Sequence, residues 1–371
     1  MSKRNEVQQE ALQKVLNIKR CGLGISMGVG KTLIGLRYLS MLSSQDDNFK
    51  ALVVAPKLSI FESWKNDAEK FGISEVLEKV TFTTYLSMTK LNPHDYNVLV
   101  LDECHSLLFS HELWLNSYTG RILGLTGTPP KMQQSEKGQM VSRFCPIMYT
   151  YIVKDAVNDQ ILNDYKIIVH MIPLSTARDV EVSKKNGGVF YTSEFNQYEY
   201  WSDRVDKAKT LKEKHIASIM RMRVMMDFPS KERYTRNLLR QSTEQCLVFA
   251  NTIDQARKVC SVTYDSRNPD SQDNLEAFGN GSVKQMACVL QLSEGISIPG
   301  LKEGIIMHSY GNERKSAQRI GRLLRLNPTE TATAHVLCYA GTVDERWVQS
   351  ALEDFDQDKI TYQNLVYERN V

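Results

Sequence analysis

Hydrophobic residues form short, mainly apolar runs that alternate with stretches in which apolar positions recur at helical spacing. In residues 1–150 the runs are GLGIS, ALVVAP, KVTFTTY, NVLVLDE and RILGLTGTPP, and helices are predicted at about 32–42 and 60–71. Strands that are apolar on both faces and separated by helices are typical of a parallel sheet covered on both sides. The pattern predicts an α/β domain over residues 1–150.

The same alternation returns in the second half of the chain. Its strand-like runs are KIIVHMIPL, QCLVFAN, KQMACVLQL, EGIIMHS and TAHVLCY, and a basic helical stretch covers about 201–226. A second parallel-sheet domain is therefore predicted over residues 151–371, with the join at 151–164. A chain of 371 residues also exceeds what one hydrophobic core usually serves.

Composition and charge exclude several classes of protein. The chain is 42% hydrophobic and 24% charged, which is ordinary for a globular protein, and its net charge of +3 neither indicates nor excludes a polyanionic partner. Seven cysteines without a CxxC pair predict reduced thiols. The N-terminus is too polar for a signal peptide, and no apolar run is long enough for a bilayer. We expect a cytoplasmic monomer without membrane contact, and the sequence leaves its protein partners unknown.

GLGISMGVGKT places a glycine-rich loop between a strand and a helix. In such a loop the backbone N–H groups point at phosphate oxygens, the lysine reaches the terminal phosphates and the threonine hydroxyl binds Mg²⁺. The strict GxxxxGK[ST] pattern is not met, because Ile25 stands where the first glycine belongs. A glycine turn with an incidental lysine is the alternative. The predicted ATP-binding residues are Met27, Gly28, Val29, Gly30, Lys31 and Thr32.

A second candidate site is the acidic pair at the end of the run LVLDE. Carboxyl ends of strands are where open α/β sheets bind ligands. Asp102 would hold Mg²⁺ together with Thr32, and Glu103 would orient and deprotonate the attacking water. A solvated loop start is the alternative for an isolated Asp-Glu pair.

With the glycine loop and the DECH sequence of 102–105, the chain resembles the superfamily 2 helicases, and most closely the phage and prokaryotic relatives of Swi/Snf-type translocases and UvsW-type DNA helicases. The resemblance implies two tandem RecA-like domains, each a parallel sheet flanked by helices, with an ATP cleft between them. It also implies an ATP- and Mg²⁺-dependent motor that moves on or remodels nucleic acid, preferentially DNA and with low sequence specificity.

Further segments of the first half carry the same resemblance. LTGTPP is similar to the motif that couples the ATP site to nucleic acid, and VVAPKLSIFESW and TFTTY resemble segments that contact the phosphate backbone. Gln8 stands where family members place a glutamine near the adenine, although a polar helix face without a ligand is an equal alternative. The implied residues are Thr126, Gly127 and Thr128 for coupling, and Lys57, Thr84 and Tyr85 for nucleic acid.

Three segments of the second half complete the resemblance. SAQRIGRLLR is similar to the motif whose arginines reach the γ-phosphate, although a solvated basic helix face is the alternative. QLSEGISIPGL and CLVFANTIDQA resemble the two preceding motifs. The implied residues are Gln318, Arg322 and Arg325 for catalysis, Gly295 for ATP, and Ser293, Asn251 and Thr252 for nucleic acid.

Residues 178–200 fit neither the alternation nor the motifs. Val180 and Val182 alternate with polar residues, and an Asn-Gly turn at 186–187 precedes a second extended run, which predicts a β-hairpin insertion. Lys184, Lys185 and the aromatics after the turn would let it engage nucleic acid; packing of those aromatics on the domain is the alternative. For the whole chain, a nucleotide-gated clamp with slow ATPase and an RNA helicase remain the alternatives to a DNA motor.

Overall fold

The computed structural model describes residues 2–183, 187–289, 301–309, 320 and 330–365. The chain divides into two compact units, of which the first ends at Asn163 and the second begins at Asp164. The division lies later than residue 150 because the next two elements belong to the first unit. The strand Ile147–Tyr151 pairs with the strand Arg20–Ile25, and the helix that follows it buries Ala156.

The first unit is a parallel sheet with helices along its faces. Its strands are β1 (Arg20–Ile25), β2 (Ala51–Ala55), β3 (Val80–Thr84), β4 (Val98–Asp102), β5 (Arg121–Thr126) and β6 (Ile147–Tyr151). Its helices are α1 (Lys3–Leu16), α2 (Lys31–Ser43), α3 (Ser59–Lys70), α4 (Tyr85–Met88), α5 (Glu112–Ser117), α6 (Glu136–Phe144) and α7 (Val153–Asn158). All residues of β2 and β4 are buried, which explains why these strands are apolar without alternation.

The strand order β3-β2-β4-β5-β1-β6 decides which loops meet. β5 lies between β4 and β1, with Thr126 paired to Gly24 on one side and Leu125 paired to Asp102 on the other. The segments that follow β4, β5 and β1 are therefore neighbours at the carboxyl edge of the sheet. These segments carry the acidic pair, the LTGT sequence and the glycine loop.

The second unit contains a larger parallel sheet and a separate hairpin. The sheet strands are β7 (Asp164–Ile172), β10 (Cys246–Ala250), β11 (Thr263–Tyr264), β12 (Gln285–Val289), β13 (Glu303–Ile306), β14 (Thr331–Tyr339) and β15 (Ile360–Asn364), and the hairpin strands are β8 (Val180–Ser183) and β9 (Val189–Thr192). The helices are α8 (Glu194–Asp206), α9 (Leu211–Met226), α10 (Pro229–Gln241), α11 (Ile253–Val259), α12 (Ser271–Gly279) and α13 (Val343–Leu352). The sheet order is β11-β12-β10-β13-β14-β7-β15.

The predicted fold class, two domains built on parallel sheets with flanking helices, is confirmed. The basic helical stretch differs from the prediction, because it contains two helices with a break at residues 207–210. The break arises at Thr210, whose hydroxyl accepts a hydrogen bond from the Glu213 N–H (3.1 Å) while the Glu213 carboxylate accepts one from the Thr210 N–H (3.3 Å). This capping box starts a new helix at Leu211.

The predicted hairpin is present, with β8 and β9 paired antiparallel and Gly187 at a φ of 83° in the turn. Phe190 and Tyr191 of β9 are 41% and 59% exposed. The aromatic side chains therefore do not pack into the domain core, which disfavours the packing alternative. No helix within the described ranges is both long and apolar enough to cross a membrane.

Candidate active site

The glycine loop joins the end of β1 to the start of α2. Gly28 and Gly30 have φ angles of 86° and 105°, in the left-handed region that side chains other than glycine rarely adopt. Because Gly30 is the N-cap of α2, no side chain caps the first amides of this helix. Uncapped amides at a helix N-terminus carry partial positive charge and are ready donors for a phosphate.

Two side chains of α1 bind the backbone of the glycine loop. Gln8 is 1% exposed, and its Nε2 donates to the carbonyl of Val29 at 2.7 Å, while the Arg4 Nε donates to the same oxygen at 3.0 Å. Arg37 donates to the Oε1 of Gln8 at 3.1 Å. Gln8 is therefore buried against the glycine loop, and the alternative of a helix face without a ligand stays open. Its contact with adenine stays a prediction, whereas its contact with the glycine loop is direct.

Asp102, the last residue of β4, is buried and held by two neutral donors. The Trp64 indole N–H donates to Oδ2 at 2.9 Å, and the backbone N–H of Glu103 donates to Oδ1 at 3.0 Å. The Trp64 ring has room beside α2 because residue 35 is a glycine. A Cβ on Gly35 would lie only 2.5 Å from the Trp64 Cη2 atom.

Burial raises the pKa of Asp102 to about 6, and the neighbouring Glu103 carboxylate adds to this rise. The Trp64 hydrogen bond, the Lys31 ammonium and the Glu103 N–H act in the opposite direction. A buried carboxylate without a direct cationic partner is a favourable ligand for a metal ion, because the ion supplies the missing positive charge.

Glu103 has a φ of 51°, a conformation that costs free energy in a residue other than glycine. Its Oε2 lies 3.3 Å from the Nδ1 of His105 and 3.5 Å from the hydroxyl of Thr126. His105 Nδ1 and Thr126 Oγ1 are 2.8 Å apart, and the Thr128 N–H donates to the same hydroxyl at 3.1 Å. The predicted base is thus joined by hydrogen bonds to the predicted coupling segment.

The donor set fits a nucleoside triphosphate with Mg²⁺. Lys31 is close to the end of β5, since a Cβ on Gly127 would lie 3.1 Å from its Nζ. The hydroxyls of Ser26 and Thr128 are buried and have no hydrogen-bond partner among the described residues. Loop amides, an ammonium, the Thr32 hydroxyl and two carboxylates are the groups that bind phosphates and a hard cation.

The predicted nucleic-acid residues of the first unit divide into two kinds. Lys57 is exposed just after β2, and Thr84 is half-buried at the end of β3. Tyr85 is 5% exposed, lies in the core, and donates its hydroxyl to the Asp102 carbonyl at 3.0 Å. The side chain of Tyr85 therefore supports Asp102 from within the core, and the predicted contact of this residue with nucleic acid stays a prediction.

In the second unit, Asn251 and Thr252 follow β10 directly. Thr252 is exposed and caps α11, with its hydroxyl accepting from the Gln255 N–H at 3.2 Å. Asn251 is half-buried and donates from Nδ2 to the Met226 sulfur at 2.9 Å. Both residues therefore lie at the carboxyl edge of the sheet, where the sequence places them.

Several predicted residues lie outside the described ranges and stay predictions. These residues are Lys184, Lys185, Ser293, Gly295, Gln318, Arg322 and Arg325. In contrast, His105 and Trp64 are site residues that the sequence did not single out. The one signal for His105 is its place as the fourth residue of DECH, whereas nothing in the sequence pairs Trp64 with Asp102.

Comparisons with known proteins identify two family models and a similar translocase. The family model "Type III restriction enzyme, res subunit" matches residues 2–131, and "Helicase conserved C-terminal domain" matches residues 230–327. The chain is 24% identical over 378 residues to the "DNA 3'-5' translocase XPB2" of Sulfurisphaera tokodaii. This match covers 92% of this chain and 82% of the relative.

Two solved structures share the fold. The "ATP-dependent Type ISP restriction-modification enzyme LlaBIII bound to DNA" is 14% identical with a TM-score of 0.64, and the match covers all of this chain but 32% of that enzyme. The "Pyrococcus furiosus Hef helicase domain" is 16% identical with a TM-score of 0.50, and the match covers 94% of this chain and 99% of that domain. With the two family matches and the translocase relative, the chain belongs to superfamily 2, the ATP-hydrolysing helicases and translocases.

Proposed function

We propose that the chain is a DNA-directed motor that hydrolyses ATP with Mg²⁺ and moves along or remodels DNA with low sequence specificity. The observation that carries this proposal is the acidic pair of buried Asp102 and half-buried Glu103 at the end of β4, which lies at the same sheet edge as the uncapped glycine loop. A loop that binds phosphate together with carboxylates for metal and water is the combination that phosphoryl transfer needs.

The chain's own residues divide the chemistry among them. Lys31 would hold the terminal phosphates, and Thr32 and Asp102 would hold Mg²⁺, which when bound neutralises phosphate charge. Glu103 would take the proton from the attacking water. The hydrogen bond that Thr126 donates to Glu103, beside the 3.3 Å contact of this carboxylate with His105, would supply a route by which a shift of the LTGT segment repositions this base. The roles of Gln318, Arg322, Arg325 and Gly295 rest on the sequence alone.

DNA is the proposed track because the translocase relative and the restriction enzyme are named for DNA. Lys57, Thr84, Asn251, Thr252 and Ser293 would contact phosphates and sugars, which fixes position without reading sequence. Binding should therefore depend steeply on salt. We place the protein in the cytoplasm as a monomer; its seven free thiols are typical of a reducing compartment.

The test is steady-state ATPase activity without nucleic acid and then with single-stranded DNA, branched DNA and RNA, with the Lys31→Ala variant as the inactive control. Stimulation by DNA supports the proposal. Greater stimulation by RNA would favour an RNA helicase, and ATP-dependent binding with slow, unstimulated hydrolysis would favour the nucleotide-gated clamp.

A further inference from the structure

The two helices α8 and α9 and their connection at residues 207–210 form a helical hairpin, called here the helical arm, that the ATPase chemistry does not use. Of the 16 residues of α9 only Ala217 and Met225 are buried. A surface helix normally buries a continuous apolar stripe against its domain. Residues 211–216 and Arg223 are exposed, so the N-terminal turns of α9 are available to a partner.

The charge of the arm points to a polyanion. The positive charge lies in α9 and the connection, because residues 207–226 hold six basic side chains and a single acidic one, Glu213, whereas α8 holds four acidic side chains and one basic one, Arg204. Glu213 is engaged in the helix cap, where it accepts from the Lys209 N–H at 2.9 Å. Lys207 pairs with Asp203 at 2.7 Å, whereas other lysines of the arm have no ion pair within the part of the chain described. These unpaired lysines are Lys209, Lys212 and Lys214.

The arm is fixed to the sheet edge already predicted to bind nucleic acid. At its base, Met226 accepts hydrogen bonds from two side chains, one from Asn251 to its sulfur at 2.9 Å and one from Gln255 to its carbonyl. At its tip, four exposed lysines lie between residues 207 and 214. The 16 residues of α9 span about 24 Å, which corresponds to about seven nucleotides at the spacing of B-DNA phosphates.

A cation–aromatic stack on α8 favours nucleic acid over an acidic protein. The guanidinium of Arg204 lies 5.6 Å from the ring centroid of Tyr200 and 6.0 Å from that of Trp201. Tyr200 is 51% exposed. Aromatic faces beside a basic track are what single-stranded nucleic acids bind, because bases stack on the rings while phosphates meet the cations.

We propose that the helical arm is a second nucleic-acid contact, which holds the phosphate backbone with its lysine tip and a base with the Arg204 stack, as an extension of the Asn251 edge. The inference rests on the proposed DNA-directed function. The arm adds a binding surface that none of the superfamily motifs supplies. With the arm, the chain would cover a longer stretch of nucleic acid than the sheet edge alone.

The experiment measures binding of fluorescent single-stranded DNA by anisotropy over a salt series. The test variant replaces Lys207, Lys209, Lys212 and Lys214 by Gln, and circular dichroism verifies its fold. The matched control makes the same change at exposed lysines that precede strands or end α1, away from the carboxyl edges. Those control positions are Lys14, Lys19, Lys50 and Lys79.

We expect the arm variant to lose at least tenfold in affinity, with a slope of log affinity against log salt that is shallower by about 2 to 3, since each neutralised phosphate contributes about 0.7 on a single strand. The control variant should keep the wild-type slope. As an independent variant, Arg204→Gln should weaken binding about fivefold through loss of the stack.

Three outcomes separate the possibilities. If the arm variant keeps the wild-type affinity and salt slope while DNA still stimulates the ATPase of the native chain, the proposed role of the arm is wrong but the proposed function stands. A native chain that neither binds DNA nor responds to it would overturn the proposed function as well. Loss of self-association in the arm variant by sedimentation, with DNA binding unchanged, would assign the arm to contact with a second copy.

Discussion

The two units bury charged side chains in different ways. In the first unit, Asp102 is buried beside another carboxylate, and among the described residues its hydrogen bonds come from two neutral N–H donors. Two buried hydroxyls of the neighbouring loops, on Ser26 and Thr128, have no partner within the described ranges. Burial raises the pKa of Asp102 to about 6, so the folded chain alone does not fully stabilise its charge.

In the second unit a buried ion pair compensates its own charges. Lys231 and Asp344 are 1% and 4% exposed and meet at 2.6 Å, and the Asp344 carboxylate also accepts from the Tyr339 N–H at 2.9 Å. Glu194, fully buried, resembles Asp102 in being held by neutral donors, since it accepts from the N–H groups of Ser175 at 2.9 Å and Ser230 at 2.8 Å. What distinguishes Asp102 is the second carboxylate beside it together with the unpaired hydroxyls nearby, whereas the Lys231–Asp344 pair holds the fold together.

The largest expected effect is on Glu103, the proposed base. Glu103→Gln should lower single-turnover ATP hydrolysis by about 10²- to 10⁴-fold, because the amide cannot accept the proton of water. Binding of a fluorescent ATP analogue should persist. The exposed Glu78→Gln variant is the control, and near-normal hydrolysis by the Glu103 variant would remove this residue from the mechanism.

The matching test in the second unit breaks the buried ion pair. Lys231→Met should lower the free energy of unfolding by about 3 to 5 kcal/mol, since Asp344 is left buried without its partner. Lys207→Met removes the 2.7 Å pair between Lys207 and Asp203, whose side chains are 76% and 55% exposed, and should cost about 1 kcal/mol or less. Urea unfolding followed by circular dichroism gives both values, and equal losses would contradict the comparison.

Trp64→Phe tests whether the Asp102 environment serves ligand binding or stability. Losing the indole donor should weaken Mg²⁺-dependent nucleotide binding by about tenfold or more, as is usual for groups that orient metal ligands. Trp114→Phe is the matched control, because that indole donates to the Leu91 carbonyl at 2.7 Å, away from the site. If both variants lose the same nucleotide affinity, Trp64 acts through packing.

A buried hydrogen-bond chain of the second unit predicts a dependence on pH. His170 lies between the Tyr234 hydroxyl at 2.9 Å and the Nδ1 of His335 at 2.8 Å, and His335 contacts Glu303 at 2.8 Å. Burial, followed by the proximity of His335, lowers the pKa of His170 to about 4.

The unfolded histidine titrates near 6.5, so between about pH 6.5 and 4 the unfolded state binds more protons than the folded state. Stability should therefore fall as pH drops through this window, by on the order of 2 kcal/mol from His170. The free energy of unfolding, measured at pH 7 and 4.5, should fall less between these pH values in His170→Gln than in the wild type. In His94→Gln, at an exposed histidine, the fall should be unchanged. An unchanged pH dependence in His170→Gln would exclude the group as its source.

The smallest effect concerns the β8–β9 hairpin. In contrast to the buried charged residues of both units, its aromatic side chains are exposed to solvent. Replacing Phe190 and Tyr191 by Ser should reduce strand separation about fivefold, through loss of base stacking, while leaving ATPase stimulation by single strands unchanged. Tyr362→Ser, at another exposed tyrosine, is the control. Loss of both activities together would indicate a folding defect, and retention of both would assign the hairpin no role in separation.

The sequence by itself determined the elements and their chemistry. Apolar runs predicted the parallel strands, and the turn at 186–187 predicted the hairpin, because these features depend on neighbours a few residues apart. The glycine loop before Lys31 and the acidic pair at the end of β4 could be placed for the same reason. Each is contiguous, and the carboxyl end of a parallel strand is a defined position.

Only the tertiary structure decided which side chains meet. The order β3-β2-β4-β5-β1-β6 sets Thr126 beside Glu103 and His105, and helix packing brings Trp64 to Asp102 from 38 residues away. The same packing places the Tyr85 side chain in the core, where its hydroxyl donates to the Asp102 carbonyl. Periodicity records whether a residue is buried but not against which neighbour, because strand order and helix docking are set by the whole core at once.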